Sequence, residues 1–287
     1  MIIIKKKAHT SFLYIKKGEE MENEIKYSIF KPGGNDTALV YGTNFTNKEK
    51  KIINDKIMTK HTNVEQVGFV DFKNNIPILL MAGGEFCGNA TRSAVYAFLN
   101  GKKGKTQITV NNNTLLNAGV YNNGDVWTEI PLGKGKIDVL KNGIYKVKME
   151  GMTSVVLKEE ISKDYLKDRK SLKKHGMNII KEFNLENNEA VGIMFCENNK
   201  GTIKINPIVW VKEIDTLFYE TACGSGTTAV VMVEAYKHKE SKKMKIIQPS
   251  GMEIHAEITY QKDRITRAAI SGQVDSDNKV YLIDEMT

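Results

Sequence analysis

Two stretches of this 287-residue chain place a cysteine where it can take part in chemistry: "GGEFCGNATRSAVYAFL", beginning at Gly83, and "YETACGSGTTAVVMVEAY", beginning at Tyr219. Laid on each other, Cys87-Gly88-Asn89-Ala90-Thr91 meets Cys223-Gly224-Ser225-Gly226-Thr227, and each run leads into an apolar segment that reads as a helix. A cysteine at a helix start faces free backbone N–H groups and the positive end of the helix dipole. Both lower a thiol pKa from about 8.5 toward neutrality and make the thiol a usable base. The glycine that follows permits close approach to the backbone, and Asn89 or Ser225 adds another N–H. Each motif is therefore also a small cup for a carboxylate.

Two such helix starts facing one cleft about a pseudo-twofold axis would set an acid and a base on opposite faces of one carbon. That arrangement inverts a stereocentre without moving the substrate, and the same helix ends would stabilise charge gathering on a carboxylate as the Cα proton leaves. Paired cysteines also admit a thiol-redox protein, or a ligand-binding protein without catalysis. No Cys-x-x-Cys or His-x-x-x-His spacing accompanies them and the five histidines are scattered, so no metal is expected. Cys196, inside "VGIMFCENN", reads as a small buried hydrophobe.

The elements that must position these motifs repeat with them. Strand-like pieces "IKYSIF", "TALVYG", "VGFVDF" and "IPILLMA" precede the first motif, and "TQITVNN", "LLNAGVY" and "VWTEIPL" follow it. A helix is predicted from Asn47 to Lys60, with Thr46 and Glu49 forming a capping box, and the motif helix from Asn89 to Asn100. "GKGK" at Gly133–Lys136 reads as the crossing between lobes. Strands "IYKVKM" and "TSVVLK", helical material from Ile161 to Phe183, strands "AVGIMFC" and "IKINPIVW", and a motif helix from Gly224 to Lys239 then repeat the order. Four strand-like pieces, "MKIIQP", "EIHAEITY", "TRAAISGQV" and "KVYLID", close the chain.

Length and the internal repeat imply two similar lobes, residues 21–132 and 133–273, the strand in 274–287 completing the first. A hydrophobic content of 41% with only five prolines implies an ordered globular protein. No apolar run approaches the roughly 18 to 20 residues of a membrane helix. Three widely spaced cysteines make no disulfide framework, which points to the cytoplasm. The net charge of +8 is spread among acids, and its densest cluster, Lys237–Lys245, falls at a helix end, so no nucleic-acid partner is expected. Lys17-Gly18-Glu19 is encodable by a ribosome-binding sequence just ahead of Met21. Residues 1–20 accordingly read as an extension, with Met21 the native start.

From Lys26 to Asp284 the chain resembles the diaminopimelate epimerase-like superfamily, amino-acid racemases and epimerases that need no pyridoxal phosphate. The likeness rests on the two Cys-Gly segments, "PGGNDTALV" at Pro32–Val40, "VEQVGF" at Val64–Phe69 and "SGQV" near Gly272. It implies an α+β fold of two pseudo-symmetric lobes, each a mainly antiparallel sheet wrapped around a central helix, and no cofactor. It further implies Cys87 and Cys223 as the acid/base pair and Asn35 and Gln66 at the site. Gly88, Asn89, Gly224 and Ser225 would hold the α-carboxylate and Glu213 the α-amino group. Where diaminopimelate epimerases grip the distal end of their substrate, this chain has Met81, Met152, Gly192 and Ile214, and no arginine. "EFCGNAT", "EQVGF", "CGSGT" and "QPSG" are more similar to the histidine racemases of the superfamily. That likeness makes histidine the expected substrate, with a diaminopimelate epimerase of diverged distal pocket as the alternative, and makes Glu65, Phe86 and Tyr219 candidate neighbours of the ring. The substrate is then the expected small-molecule partner, and a homodimer is left open.

Overall fold

A computed structural model describes residues 24–72, 75–111 and 113–284, so the reading of residues 1–20 lies outside what it describes. The first half runs β1 (Glu24–Pro32), β2 (Asp36–Tyr41), α1 (Asn47–Lys60), β3 (Val64–Asp71), β4 (Ile78–Met81), α2 (Gly88–Leu99), β5 (Gly104–Val110), β6 (Thr114–Val120) and β7 (Val126–Glu129). After β8 (Lys136–Lys141) the order begins again with β9 (Ile144–Met149), β10 (Met152–Leu157), α3 (Glu159–Leu166), α4 (Leu172–Glu182), β11 (Ala190–Asn199) and β12 (Thr202–Val211). It continues through β13 (Thr216–Tyr219), α5 (Gly224–His238), β14 (Lys242–Ile247), β15 (Glu253–Gln261) and β16 (Arg264–Gly272), and β17 (Val274–Ser276) and β18 (Tyr281–Asp284) close the chain.

Setting β8 and β13 aside and counting α3 and α4 as one helical segment, both halves read strand-strand-helix-strand-strand-helix-three strands. Strand pairing repeats too. β2 lies parallel to β3 across α1, and β4 to β5 across α2; β10 lies parallel to β11 across α3 and α4, and β12 to β14 across α5. The other ladders are antiparallel, including β7 on β16, which joins the halves, and β17 and β18 on β1. The fold is thus α+β, with two pseudo-symmetric lobes.

Side-chain patterns follow the layers. β5 alternates between covered and wetter positions, whereas β10 is buried along its whole length because both its faces are covered. α2 is buried without a break from Gly88 to Val95, and α5 from Gly224 to Ala235, as expected of helices enclosed by strands rather than lying on a surface. The capping box of α1 forms, Thr46 accepting from the Glu49 backbone N–H and the Glu49 side chain accepting from that of Thr46. The helical stretch predicted from Ile161 to Phe183 is broken by a 3-10 turn at Arg169–Ser171. Two strands escaped the sequence reading for a physical reason. β8 buries none of its side chains and β13 has four half-buried ones, so neither shows an alternation.

Candidate active site

Cys87 and Cys223 are the N-cap residues of α2 and α5, in the same extended conformation (φ −124°, ψ 110° and φ −134°, ψ 108°). Each sulfur accepts the backbone N–H three residues on, Ala90 N at 3.4 Å and Gly226 N at 3.3 Å. The repeated threonine has a local task as well. Thr91 Oγ1 donates to the Cys87 carbonyl at 2.7 Å and Thr227 Oγ1 to that of Cys223 at 2.8 Å, closing the first turn.

The two helix starts meet. A Cβ on Gly88 would lie 2.7 Å from Ile270 Cδ1 and 3.8 Å from the Gly224 Cα, and one on Gly224 would lie 2.8 Å from the same Ile270 methyl. Only glycines allow this approach. Asn89 crosses the gap, its Nδ2 donating to the Ala222 carbonyl at 2.8 Å, and its Oδ1 accepts Arg92 Nη2 at 2.9 Å. Arg92 is itself fully buried; burial lowers it to about 10, so it stays cationic at neutral pH behind the cup.

Other quoted motifs converge here. Gln66 accepts from the Cys87 thiol at 3.0 Å and donates to Asn35 Oδ1 at 2.6 Å, while Asn35 Nδ2 donates to Glu65. Glu65 accepts Thr221 Oγ1 at 2.6 Å and Thr221 N at 3.1 Å, so β3 of the first half is fastened to the entry of α5 in the second. From "QPSG", Gln248 Oε1 accepts the Cys223 N–H at 2.9 Å and Ser250 Oγ donates to the Gly33 carbonyl at 2.7 Å.

A cavity with about 560 Å³ of empty space, counted out to the solvent at its mouth, opens between the two cysteines. Of the residues expected at a site, Cys87, Cys223, Gln66, Asn89, Gly224, Ser225, Glu65, Phe86, Met152 and Ile214 line it. Asn35 stands behind Gln66, and Gly88 forms the helix contact instead of the wall. Four more of the expected residues, Glu213, Tyr219, Met81 and Gly192, do not line the cavity. Glu213 is exposed in the turn between β12 and β13, where its neighbour Ile214 is the residue that is buried and lines the cavity. The Tyr219 hydroxyl donates to Asn206 at 2.8 Å, and its ring packs with a second apolar cluster that includes Ile179 and Ile208. Met81 is buried at the end of β4, against Gly68, and Gly192 sits within β11, where a Cβ would strike the methyls of Met194 and Met152. Two residues the sequence reading gave no role, Glu85 and Glu220, do line the cavity, with Val209, Val211, Thr216 and Phe218. Their only signal was membership of the quoted "EFCGNAT" and "YETACGSGT" runs.

The thiols also depart from expectation. Burial first, and then the Glu220 carboxyl, push both Cys87 and Cys223 up, against the backbone N–H groups of the helix starts, which act in the expected direction and are outweighed. Cys223 hydrogen-bonds the Glu220 side chain, which favours the protonated thiol. Burial also raises the carboxyls, Glu65 and Glu85 from 4.5 to about 7 and Glu220 to about 8, with Glu65 adding to the rise at Glu220. Cys196 is buried in the core, away from the cavity lining, and raised to about 12 by that burial.

These carboxyls set a pH dependence. A carboxyl with a raised folded pKa holds a proton that the unfolded chain has released, so its contribution to stability is complete below about 4.5 and declines as pH rises through 7 to 8. The ligand-free melting temperature is expected to fall by several degrees between pH 5 and 8.5, each pH unit of displacement weighing about 1.4 kcal/mol. Glu220→Gln should flatten part of the fall; a wild-type profile that is level or rises over this range would show that the carboxyls are solvated.

Fold and site together define the class. Solved structures with this fold include a hydroxyproline epimerase from Agrobacterium vitis (TM-score 0.60, 10% identity, 92% of this chain and 93% of that one). A phenazine biosynthesis protein of the PhzF family from Bacillus anthracis is also similar (TM-score 0.58, 14% identity, 91% and 99%). The molecule therefore has the diaminopimelate epimerase-like fold. A family model described as the histidine racemase CntK N-terminal domain matches residues 24–123 and 127–279. Histidine racemase from Fusobacterium nucleatum subsp. nucleatum is 30% identical over 274 residues, 88% of this chain and 95% of the relative; that of Staphylococcus aureus is 24% identical over 241 residues, 79% and 86%. The chain belongs to the histidine racemase family.

Proposed function

We propose that the protein interconverts L- and D-histidine by a two-thiol mechanism, one sulfur acting on each face of Cα. The observation that carries it is that the N-cap cysteines of two symmetry-related central helices line one cavity. The α-carboxylate would sit at the meeting of the two helix starts, taking backbone N–H groups from Asn89 and Ser225, with the Arg92 cation behind Asn89. The α-ammonium would pair with Glu220 rather than Glu213, since Glu220 is the acid beside Cys223. Its positive charge would offset the carboxyls that hold the thiols protonated, so thiolate formation is coupled to substrate binding. One thiolate then takes the Cα proton as the helix ends stabilise charge moving onto the carboxylate, and the opposite thiol returns a proton to the other face. The enzyme is left with the thiol and thiolate exchanged, ready for the reverse reaction.

In this reading residues 21–132 and 133–273 are the lobes and 274–287 return to the first, a division supported by β17 and β18 lying on β1. Among the described residues no helix is long and apolar enough to cross a membrane. The three cysteines are free, and a thiol mechanism needs them reduced, which supports a cytoplasmic site of action. Incubation of the purified protein with L-histidine in deuterium oxide should place deuterium at Cα of the D-product from the first turnovers, before it appears in the remaining L-substrate. Failure of histidine to exchange its Cα hydrogen would overturn the proposal and leave a redox or binding role.

A further inference from the structure

Glu85 is a costly residue that the reaction, as drawn, does not use. Its carboxyl is enclosed, lines the cavity, and has an oxygen, Oε2, with no hydrogen-bond partner. Burying a polar atom unpaired is unfavourable unless something outside the protein completes it. The position of that oxygen says where the missing donor belongs. A Cβ placed on Gly83 would lie 2.6 Å from Oε2, 2.4 Å from Val211 Cγ1 and 3.4 Å from Ile214 Cγ1, so the unpaired oxygen stands among the aliphatic side chains of the cavity wall. Only glycine fits at residue 83, because the carboxyl oxygen and the Val211 methyl already crowd its backbone. Phe86, Met152, Val209 and Phe218 add further apolar side chains to the cavity's lining.

An unpaired acidic acceptor beside aliphatic side chains suits a flat side chain that carries an N–H. We propose that the Glu85 carboxyl reads the substrate's side chain by accepting a hydrogen bond from a ring N–H, with the ring faces held by the apolar wall. This rests on the histidine reading above and deepens it, because it assigns Glu220 to the α-amino end and Glu85 to the side-chain end. A site built to pair a substrate N–H rejects an analogue lacking it, since the buried acceptor is then left without a partner.

The test compares histidine with phenylalanine, whose ring has no N–H, in wild type and in Glu85→Gln and Glu85→Ala, using kcat/KM from Cα deuteration. Loss of one charge-assisted hydrogen bond should lower the histidine-to-phenylalanine ratio by about ten- to a hundredfold, chiefly through KM for histidine. A residue that only supported the fold would lower both substrates together and keep the ratio. Glu85→Gln is nearly isosteric and provides the measurement if the alanine variant does not fold. A ratio unchanged in the folded variants while wild type racemises histidine overturns the role of Glu85 alone. A wild type that exchanges phenylalanine and not histidine overturns both readings.

Discussion

Cys87→Ser and Cys223→Ser are each expected to abolish racemisation, lowering kcat/KM by at least about 10³-fold, within the span that a positioned acid or base contributes. A serine hydroxyl is too weak an acid and its alkoxide too scarce at neutral pH to replace either sulfur. The fold should survive, because both cysteines are N-caps that accept a backbone N–H, and serine is a better cap than cysteine. Lost turnover with an unchanged melting temperature would therefore report chemistry. Cys196→Ser supplies the contrast: it should keep its turnover and lose stability, since it buries a hydroxyl in the core. Full activity in either Cys87→Ser or Cys223→Ser would rule out a two-thiol mechanism.

Histidine should be turned over at least about 10³-fold more efficiently than LL- or meso-diaminopimelate, two or more charge-assisted contacts being missing at roughly 1.5 to 3 kcal/mol each. Among the described residues no lysine, arginine or histidine lines the cavity, whereas Glu65, Glu85 and Glu220 do. A distal carboxylate would enter without a partner and among groups of its own sign. Histidine brings no second carboxylate, and its ring would meet apolar side chains such as Phe86, Met152, Val209 and Phe218. Chiral chromatography of the two substrates decides the matter, and faster turnover of diaminopimelate would reverse the assignment.

Much of the site was legible because helix starts are local. The Cys-Gly-polar-small-Thr repeat encodes a cap, a close approach, a free N–H and a threonine that closes the turn, all within five residues, so its meaning did not depend on the rest of the chain. Placement by spacing along the chain was less secure. Glu213 and Glu220 both precede Cys223, and only the course of β13 between them puts the first in solvent and the second in the cavity. Tyr219 is next to Glu220, but strand alternation turns its side chain to the opposite face of the sheet.

By itself the sequence determined the duplication, both motif helices, the capping box of α1, most strands and the place of Cys87 and Cys223 at the two helix starts. These rest on periodicity and on contacts between near neighbours. The tertiary structure decided what depends on summing distant groups in one buried volume. It encloses three carboxyls with two thiols, so that burial outweighs the helix dipole and raises every one of them. It also leaves an oxygen of Glu85 unpaired beside the aliphatic side chains of Val211 and Ile214. Desolvation depends on everything that surrounds a group, and Glu85 acquires its surroundings from β12 and from the turn that follows it, more than a hundred residues away in the chain.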